Sequence, residues 1–341
     1  MNMQALAPYL LPLLLSTVMH LLPKLTRPDL FLGVTVAPGF RDADAGRRML
    51  RRFRLVLWSL TAAVIAASVF SQRTYPLLAV YFASAFAAVA VFHHAALKYA
   101  VKPSPVVEVD LAAPAERMPG GWIVAALPLL VLAVLGVWAN AQGTQLPANL
   151  AVHWNLLGAD RWVATTPHAV FALLARAALS CLLLAAVALA VLHGSRRIWP
   201  AGAHSANERR FRRRIVLLIL VAEYSLCLPP VFSLLQAPHW LTLGGSLALL
   251  LTMVGLGLSL MLMGQGGSRN VASAQRLPIG DRTADQRWLL GMIYFNRADP
   301  ALLVEKRMGI GYTLNFGNPW CWLALTAVLT LPALLRWLGA Q

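Results

Sequence analysis

Residues 46–72 read GRRMLRRFRLVLWSLTAAVIAASVFSQ, and this stretch decides the fold class of the chain. A cluster of arginines is followed at once by an apolar run over 55–72. An α-helix needs about 20 apolar residues to cross a bilayer, and basic residues flank such helices on the cytoplasmic side. The stretch therefore predicts a transmembrane helix that enters the membrane from the cytoplasm.

Similar apolar runs recur along the rest of the chain. Together they predict eight transmembrane helices, at 4–22, 55–72, 76–97, 121–140, 169–192, 215–236, 240–264 and 319–338. Of the 341 residues, 59% are hydrophobic and 12% are charged, whereas soluble domains carry about 25% charged residues. This composition excludes a soluble globular protein and a disordered chain. We expect an all-α integral membrane protein, folded as a helix bundle in the lipid bilayer.

The basic residues alternate from loop to loop. Of the 29 lysines and arginines, 25 lie in four loops, at 23–54, 98–120, 194–214 and 265–318. The positive-inside rule places these loops in the cytoplasm and both termini outside. Because topology accounts for the formal net charge of +16, we expect no nucleic-acid partner.

The span pattern divides the chain into five parts. Helices 1–4 occupy 1–140, an extracytoplasmic loop covers 141–168, helices 5–7 occupy 169–264, a cytoplasmic loop covers 265–318, and helix 8 covers 319–341. The three cysteines lie inside apolar runs and form no metal-binding spacing. We expect them to be buried as small hydrophobic residues.

The extracytoplasmic loop contains LPANLAVHWNLLGADRW at 146–162. A turn needs only Gly, Pro or Asn, so this density of polar and aromatic residues indicates a role beyond connection, and we expect residues 150–154 to be extended. The candidate site residues are His153, Trp154, Asn155, Gly158, Asp160 and Arg161.

Three interpretations of this loop stay open. It could dock an extracytoplasmic peptide or small ligand, or it could be a structural cap. In the cap, Trp154 and Trp162 would lie on the bilayer rim, while Asp160 and Arg161 would satisfy the backbone of a turn. A metal site is the least favoured, because catalytic zinc normally takes three protein ligands and no second histidine stands at helical spacing in the loop. We therefore expect no metal.

The cytoplasmic loop contains DQRWLLGMIYFNRADPALLVEKRMGIGYTLNFGNP at 285–319. Residues 288–295 are expected to form a short amphipathic helix on the inner leaflet, with Lys306 and Arg307 facing anionic headgroups. Docking of a cytoplasmic regulator protein is the alternative. A nucleotide site is excluded, because neither a P-loop nor a dinucleotide fingerprint is present. The candidate residues are Trp288, Gly291, Tyr294, Asn296, Asp299, Pro300, Lys306, Arg307, Gly309, Gly311 and Asn315.

Two ionisable residues, Arg176 and Glu223, lie inside predicted spans. Each costs about 2.5 to 3.5 kcal/mol at a helix centre on insertion scales, so each should face the bundle interior or water. Pro229 and Pro230 follow Glu223 and are expected to break and bend their helix. Two interpretations stay open: an Arg176–Glu223 ion pair that staples two helices, or a polar cavity at a broken helix, as transporters use.

The motifs resemble known families. Pro147, the triplet at 153–155, Gly158 and the triplet at 160–162 resemble the bacterial membrane family called domain of unknown function 1648, found in relatives of the SdpI toxin-immunity protein. The segment 285–319 is similar to the companion family called domain of unknown function 5808. The first loop, DLFLGVTVAPGFRD at 29–42, is similar to a Phe-Gly-Val-x-Val-Pro element of these proteins, with Leu32 inserted.

The resemblance implies a protein of the bacterial inner membrane that protects against a membrane-active peptide or relays its presence to a cytoplasmic regulator. We therefore expect a non-enzymatic immunity, sensing or signal-relay protein without cofactors. A secondary transporter, with its site around Glu223 and the two following prolines, is the alternative. A membrane enzyme is not expected, because neither HExxH nor GxSxG occurs in the chain.

Overall fold

The computed structural model describes residues 3–71, 74–103, 116–155, 157–195, 203–270 and 279–338. Long helices dominate this part of the chain. They are α1 (Met3–Leu25), α2 (Asp44–Phe70), α3 (Thr74–Ala96), α4 (Gly121–Gln142), α5 (Pro167–His193), α6 (Ala203–Leu234), α7 (His239–Met263) and α8 (Pro319–Leu338).

Seven helices of the described chain, α1 to α7, are long and apolar enough to cross a membrane. Between 11% and 28% of their most apolar windows is buried inside the protein, so most of that apolar surface faces outward. Exposed apolar surface of this extent is stable only in lipid. Helix α8, Pro319–Leu338, has an apolar stretch over Pro319–Thr330 within the described side chains. The described part of the chain is thus mostly helical and multi-pass, with seven candidate spans, and the eighth predicted span stays a prediction.

The first three helices pack around one core. Phe53 and Leu57 of α2 meet Ala85 and Val89 of α3 in this core, and Met19 of α1 closes it. Polar groups also join the three helices, in a cluster formed by Ser16, Thr61 and Tyr81. The Ser16 Oγ lies 2.5 Å from Thr61 Oγ1 and 2.6 Å from the Tyr81 hydroxyl. Such bonds hold helices together in lipid, where apolar surfaces gain little from meeting each other.

Helices α4, α5 and α6 form a second core with small residues at its centre. Cys181 of α5 and Cys227 of α6 are buried against Leu132 of α4 and Ala177 of α5. The described cysteines are all free and buried, which confirms their prediction as small core residues. Close approach of the backbones brings the Cys227 thiol within 3.6 Å of the Pro128 carbonyl oxygen.

The loops contain β-structure, which the all-α prediction did not include. They contain four two-stranded antiparallel hairpins. These are β1–β2 (Leu30–Phe31 and Val34–Thr35), β3–β4 (Asn149–Asn155 and Gly158–Ala164), β5–β6 (Trp288–Leu289 and Ile293–Tyr294) and β7–β8 (Leu303–Glu305 and Tyr312–Leu314). The extended segment predicted at 150–154 is confirmed within β3.

The amphipathic helix predicted over 288–295 is wrong. The chain instead turns back on itself between β5 and β6, where Met292 N donates to Leu289 O at 3.1 Å. Leu290 and Gly291 have positive φ values of 52° and 68°, as in a type I′ turn. Apolar residues spaced for a helix face therefore lie on a hairpin, and Leu289 and Ile293 stand opposite each other as partners.

The first and last loops fold together into one polar layer, which we call the polar cap (residues 26–43 and 279–318). Thr35 Oγ1 donates to Asp285 Oδ1 at 2.9 Å, and Gly280 N donates to Asp29 Oδ2 at 2.6 Å. The cap reaches the α-helical layer through His93 of α3, whose Nδ1 lies 2.8 Å from Leu32 O. Two motifs from opposite ends of the chain thus share one structural unit.

Candidate functional site

The HWN hairpin, β3–β4, carries the first set of predicted residues. Its register pairs Asn155 with Gly158, whose φ of 125° suits glycine. The Asn155 side-chain oxygen accepts from Leu157 N at 2.7 Å, which stabilises the turn as an Asx-turn does.

Asp160 is the polar centre of this hairpin. Its Oδ1 lies 2.5 Å from His153 Nδ1, and its Oδ2 accepts from Asn155 Nδ2 at 3.1 Å. The hydrogen bond with His153 lowers the pKa of the Asp160 carboxyl group below its ordinary value. Arg161, opposite His153 in the register, is exposed. Asp160 is thus anchored by side chains of the preceding strand, which holds the two halves of the motif together.

A cavity of about 280 Å³ lies between the HWN hairpin and the adjacent ends of α6 and α7. Trp154 and Trp162 line it from the hairpin, and Phe232 and His239 line it from the helices. The Trp154 and Phe232 rings meet edge to face, with centroids 6.5 Å apart. Trp154 and Trp162 therefore line a cavity, rather than only resting on a bilayer rim as the loop-cap interpretation placed them.

One polar group inside this cavity has no partner. Ser233 is 4% exposed, and its hydroxyl oxygen makes no hydrogen bond within the described residues. A buried hydroxyl without a partner costs about 1 to 3 kcal/mol, so a ligand that accepts or donates a hydrogen bond there would recover it. The cavity combines aromatic walls with convergent polar groups, as small-ligand sites commonly do.

Glu223 lies on α6 and is fully buried, with 0% exposure. Neither of its carboxylate oxygens has a hydrogen-bond partner in the part of the chain that the structure describes. The thiol of Cys181 on α5 donates to the Glu223 backbone oxygen at 3.5 Å. The second predicted ionisable residue therefore sits in the bundle interior, as its cost in lipid requires.

The Arg176–Glu223 ion pair considered from the sequence is wrong. Arg176 is exposed, and its Nε donates to Ala172 O on its own helix at 3.1 Å. The positions of the two residues in the sequence do not fix the direction in which each side chain leaves its helix. Arg176 points outward from α5, while Glu223 points into the bundle. The staple interpretation is thereby removed.

The helix break predicted at Pro229 and Pro230 is also not observed. Helix α6 continues through both prolines and ends at Leu234. Each proline removes one backbone hydrogen-bond donor. Because both prolines lie in the last turns of α6, only about one turn of helix follows them. The chain leaves α6 beside the cavity, with Ala237 N donating to Phe232 O at 2.9 Å.

In the polar cap, Arg307 is fully buried. Its Nε and Nη2 bond the two oxygens of Asp281 at 2.9 and 2.8 Å, and its Nη1 donates to Gly33 O at 3.0 Å and also pairs with Asp285. Burial opposes ionisation of Asp281, but attraction by Arg307 outweighs it and lowers the pKa of that carboxyl group. Arg307 therefore holds the cap together. Its predicted orientation toward lipid headgroups is wrong.

Trp288 covers this ion cluster. The Arg307 guanidinium lies 5.1 Å from the centre of its indole ring, and the indole nitrogen donates to Thr283 Oγ1 at 2.7 Å. The Tyr294 ring packs against the Trp288 ring, with centroids 5.0 Å apart. Lys306, by contrast, is exposed on the surface of the cap.

Asn315 is the second organising residue of the cap. Its side-chain nitrogen donates to the backbone oxygens of Asn296, Asp299 and Ala301, at 2.9 to 3.2 Å. Its side-chain oxygen accepts from Asn296 N at 3.0 Å. The Tyr294 hydroxyl donates to Asp299 Oδ2 at 2.9 Å. A fully buried asparagine thus fixes the loop that contains Pro300, whose carbonyl oxygen accepts from Asn318 at 3.0 Å.

The cap glycines permit close backbone contacts. A Cβ on Gly291 would lie 2.7 Å from His93 Nδ1, and one on Gly309 would lie 2.6 Å from Leu22. Gly311 exchanges two hydrogen bonds with the Gln265 side chain, at 2.7 and 3.0 Å. These glycines therefore join the cap to the helices. This role accounts for the pair Gly309 and Gly311 without a phosphate ligand.

The acids of the cap were missed by the sequence analysis. Asp29 pairs with Arg27 at 3.0 Å, and Asp281 pairs with Arg307. Glu305 is 2% exposed, and burial, with repulsion from Glu208, raises its pKa to about 8. The chain has only 13 acids, and several of them fall in the last loop among many bases. Such a concentration of acids beside bases indicates a network of paired charges, and this signal was available in the sequence.

Among the described residues, no group of three or more His, Cys, Asp or Glu side chains is arranged to hold a metal ion. The Glu305 carboxylate oxygens have no hydrogen-bond donor in this part of the chain. The side-chain amide of Gln265 lies near the Glu305 carboxylate, but its nitrogen donates to the backbone oxygen of Gly311.

Comparison with known proteins places one segment in a family. Residues 297–322 match a family of unknown function, DUF5808. This match confirms the corresponding resemblance for the part of 285–319 that it covers. No curated protein and no solved structure matches the chain.

Proposed function

We propose that this chain is a non-enzymatic sensing and signal-relay protein of the bacterial inner membrane, of the immunity type implied by its resemblance to domain of unknown function 1648 and SdpI. In this proposal the HWN hairpin faces away from the cytoplasm and its cavity binds a membrane-active peptide or small ligand. The polar cap faces the cytoplasm and presents the state of the protein to a regulator.

The observation that carries the proposal is that α6 contacts both regions. Near its C-terminal end, Phe232 packs against Trp154 of the hairpin. Near its N-terminal end, Arg212 Nε donates to the hydroxyl of Tyr312 in the cap at 3.3 Å. Twenty residues of helix separate the two contacts, or about 30 Å at 1.5 Å per residue. A displacement of α6 at the cavity would therefore also displace its contact with the cap.

Arg212 is held in place on both sides of its contact with the cap. It is fully buried and pairs with Glu208 of its own helix and with Glu116, which precedes α4, each at 2.6 Å. A buried arginine cannot leave its partners cheaply, because each uncompensated charge costs several kcal/mol. Movement of α6 would therefore either carry Glu116 and Tyr312 along or exchange these contacts for a second arrangement. Ligand binding favours one arrangement only through its differential affinity.

The cavity indicates the chemistry of the ligand. Its walls are two tryptophans and a phenylalanine, which suit an apolar or aromatic side chain. Ser233 and His239 add hydrogen-bonding groups. A cavity of about 280 Å³ fits one or two side chains of a peptide rather than a whole helix. We infer that a peptide would insert an anchoring residue while remaining mostly in the membrane interface.

The test is a survival assay in a bacterial host that expresses the chain. Cells are challenged with a panel of membrane-active peptides, and we expect protection by the unaltered chain against at least one peptide. Phe232→Ala should abolish this protection at equal membrane abundance. Phe171→Ala is the matched control, because Phe171 is 59% exposed and does not line the cavity. Absence of protection against every peptide, or equal loss in both variants, would overturn the proposal.

Photo-crosslinking tests the two faces together. Trp162 at 57% and Leu289 at 59% exposure are suitable sites, whereas Tyr294 is too buried. We expect the protective peptide to crosslink at Trp162, and a cytoplasmic protein to crosslink at Leu289 with a yield that changes when the peptide is added.

The alternative function is secondary transport, and the buried Glu223 favours it. A protonatable group inside the bundle, without a fixed partner in the described residues, is what a coupling site requires. Proteoliposomes would then show a proton- or substrate-coupled flux that Glu223→Gln abolishes and Arg176→Gln leaves intact. A flux with this dependence, without peptide protection, would favour transport over sensing.

A further inference from the structure

A second large cavity, of about 530 Å³, lies between the C-terminal end of α1, the turn at 40–42 and the N-terminal half of α2. It is separate from the cavity beside the HWN hairpin and plays no part in the function proposed above. Five basic side chains and a single acid, Asp42, line it. The basic residues are Lys24, Arg41, Arg47, Arg51 and Arg54.

The positive charge in this cavity is only partly neutralised. Arg47 pairs with Asp44 at 2.6 Å on the surface of α2. Arg41 Nη2 donates to three backbone oxygens, but its Nε has no acceptor within the described residues. The Nε of Arg54 is buried and likewise has no acceptor there. Two of the guanidinium groups that line the cavity therefore have a buried donor without an acceptor in the described chain.

Surrounding charges make the cavity a site for an anion. Arg269 donates to the backbone oxygen of Lys24, a lining residue, at 2.6 Å and so adds a further cation nearby. Burial, with repulsion from Arg269, outweighs attraction by Asp42 and Asp29 and lowers the pKa of Arg41. Desolvated arginines crowded by other cations gain most from a bound anion, and phosphate matches their donor geometry.

The remaining wall of the cavity is apolar. Leu50, Leu55 and Trp58 of α2 form it. Leu55 is 61% exposed and begins the apolar run of α2. Trp58 is fixed by a hydrogen bond from its indole nitrogen to His20 Nδ1 of α1, at 3.2 Å. Along α2 the lining cations, Arg47, Arg51 and Arg54, thus come before the outward-facing Leu55 and the following Trp58.

We propose that this cavity binds the headgroup phosphate of an anionic phospholipid, with the acyl chains lying along Leu55 and Trp58. A free phosphate ion would satisfy the arginines but would leave the apolar wall without a function. A zwitterionic lipid would bring its own cation into a cluster that already has an excess. Basic pockets between transmembrane helices are suited to anionic headgroups.

The test measures lipid-dependent thermal stabilisation of the full chain, purified in a neutral detergent. The probes are dioctanoyl phosphatidylglycerol, dioctanoyl phosphatidylcholine and inorganic phosphate. A ligand that binds the folded state raises Tm with its concentration, which gives an apparent Kd. We expect phosphatidylglycerol to bind at least about tenfold more tightly than either other probe, a difference of about 1.4 kcal/mol.

Two double variants distinguish a built site from general attraction. Arg51→Gln with Arg54→Gln removes two lining cations, and we expect it to weaken phosphatidylglycerol binding at least about tenfold. Arg48→Gln with Arg52→Gln removes the same charge from exposed positions of the same helix that do not line the cavity. We expect this control to change binding less than about twofold. If the first double variant fails to fold, Lys24→Gln replaces it, with the same direction of effect.

Equal weakening by the two double variants would show only non-specific attraction and would overturn the proposal. Equal binding of phosphatidylcholine would also overturn it, as would binding of inorganic phosphate as tight as that of phosphatidylglycerol. None of these outcomes bears on peptide protection, so this proposal and the proposed function fail independently.

Discussion

The backbones of Gly33 and Gly291 are in direct contact, because a Cβ added to Gly33 would lie 2.5 Å from the Cα of Gly291. Gly33 belongs to the first loop and Gly291 to the turn between β5 and β6. The contact seats that turn against His93 at the end of α3. Neither residue can carry a side chain without moving the other loop, so the two motifs depend on each other's backbone.

Gly291→Ala is expected to destabilise the protein more than Gly39→Ala. Both glycines have positive φ, 68° and 82°, so both alanines bear backbone strain of about 1 to 2 kcal/mol. Only the Cβ at Gly291 meets other atoms, whereas nothing lies within 4 Å at Gly39. Overpacking adds about 1 to 3 kcal/mol. Thermal unfolding in detergent measures the difference, and equal loss of Tm would contradict the contact.

Arg307→Met is expected to unfold the polar cap. It leaves Asp281 and Asp285 buried or half-buried without their cation, a loss of about 3 to 5 kcal/mol. At about 2 to 4 °C per kcal/mol, Tm falls by roughly 10 °C. The neighbouring and exposed Lys306, changed to Met, is the control and should shift Tm by less than about 2 °C. A similar Tm for both variants would refute the structural role of Arg307.

Glu305→Gln is expected to stabilise the protein increasingly with pH. Burial raises the pKa of Glu305 from 4.5 to about 8, so the folded state keeps it protonated where the unfolded state ionises it. The contribution of Glu305 to the free energy of unfolding is therefore fully present below about pH 4.5 and is lost as the pH rises toward 8. Glutamine, neutral at every pH, avoids this loss.

The measurement is Tm of both proteins across this pH range. At about 1.4 kcal/mol per pKa unit, we expect Gln to gain at least about 2 kcal/mol at the alkaline end and little at the acid end. The exposed acid Asp44, changed to Asn, should show no such trend. A gain for Glu305→Gln that does not vary with pH would exclude titration of Glu305.

Cysteine labelling tests the orientation of the protein. Leu157 is 92% exposed on the HWN hairpin, and Lys306 is exposed on the cap. The three native cysteines are buried and contribute little background. A membrane-impermeant thiol reagent is expected to modify Leu157→Cys in intact spheroplasts, and Lys306→Cys only after permeabilisation. The reverse pattern would invert the topology and contradict the roles proposed for both faces.

The helices could be predicted from the sequence because lipid imposes a simple constraint on length and polarity. The expected span 121–140 corresponds to α4, Gly121–Gln142, and the expected span 240–264 to α7, His239–Met263. Apolar runs also explain why the cysteines could be predicted as core residues. These features depend on local composition, which a single sequence displays directly.

The polar cap could not be predicted in the same way, because its determinants are distant in sequence. Arg307 bonds Asp281 and the backbone of Gly33, and no local pattern connects the three. Leu290 adopts a positive φ because the adjacent Gly291 must fit against Gly33 and His93. Eight residues with helix-like spacing were therefore not enough to distinguish a helix from a hairpin.

The cap has a consequence for biosynthesis. Its first strands leave the ribosome early, whereas Asp281 and Arg307 are translated only after seven apolar helices have been made. Until then Asp29 lacks the backbone donor of Gly280, and Gly33 lacks the guanidinium that its carbonyl oxygen binds. The first loop must therefore wait, incompletely folded, until helices α2 to α7, which lie between the two halves of the cap, have been translated. Closure of the cap thus marks a polypeptide that has been synthesised past Arg307, and products terminated before that residue would remain open to quality-control proteases.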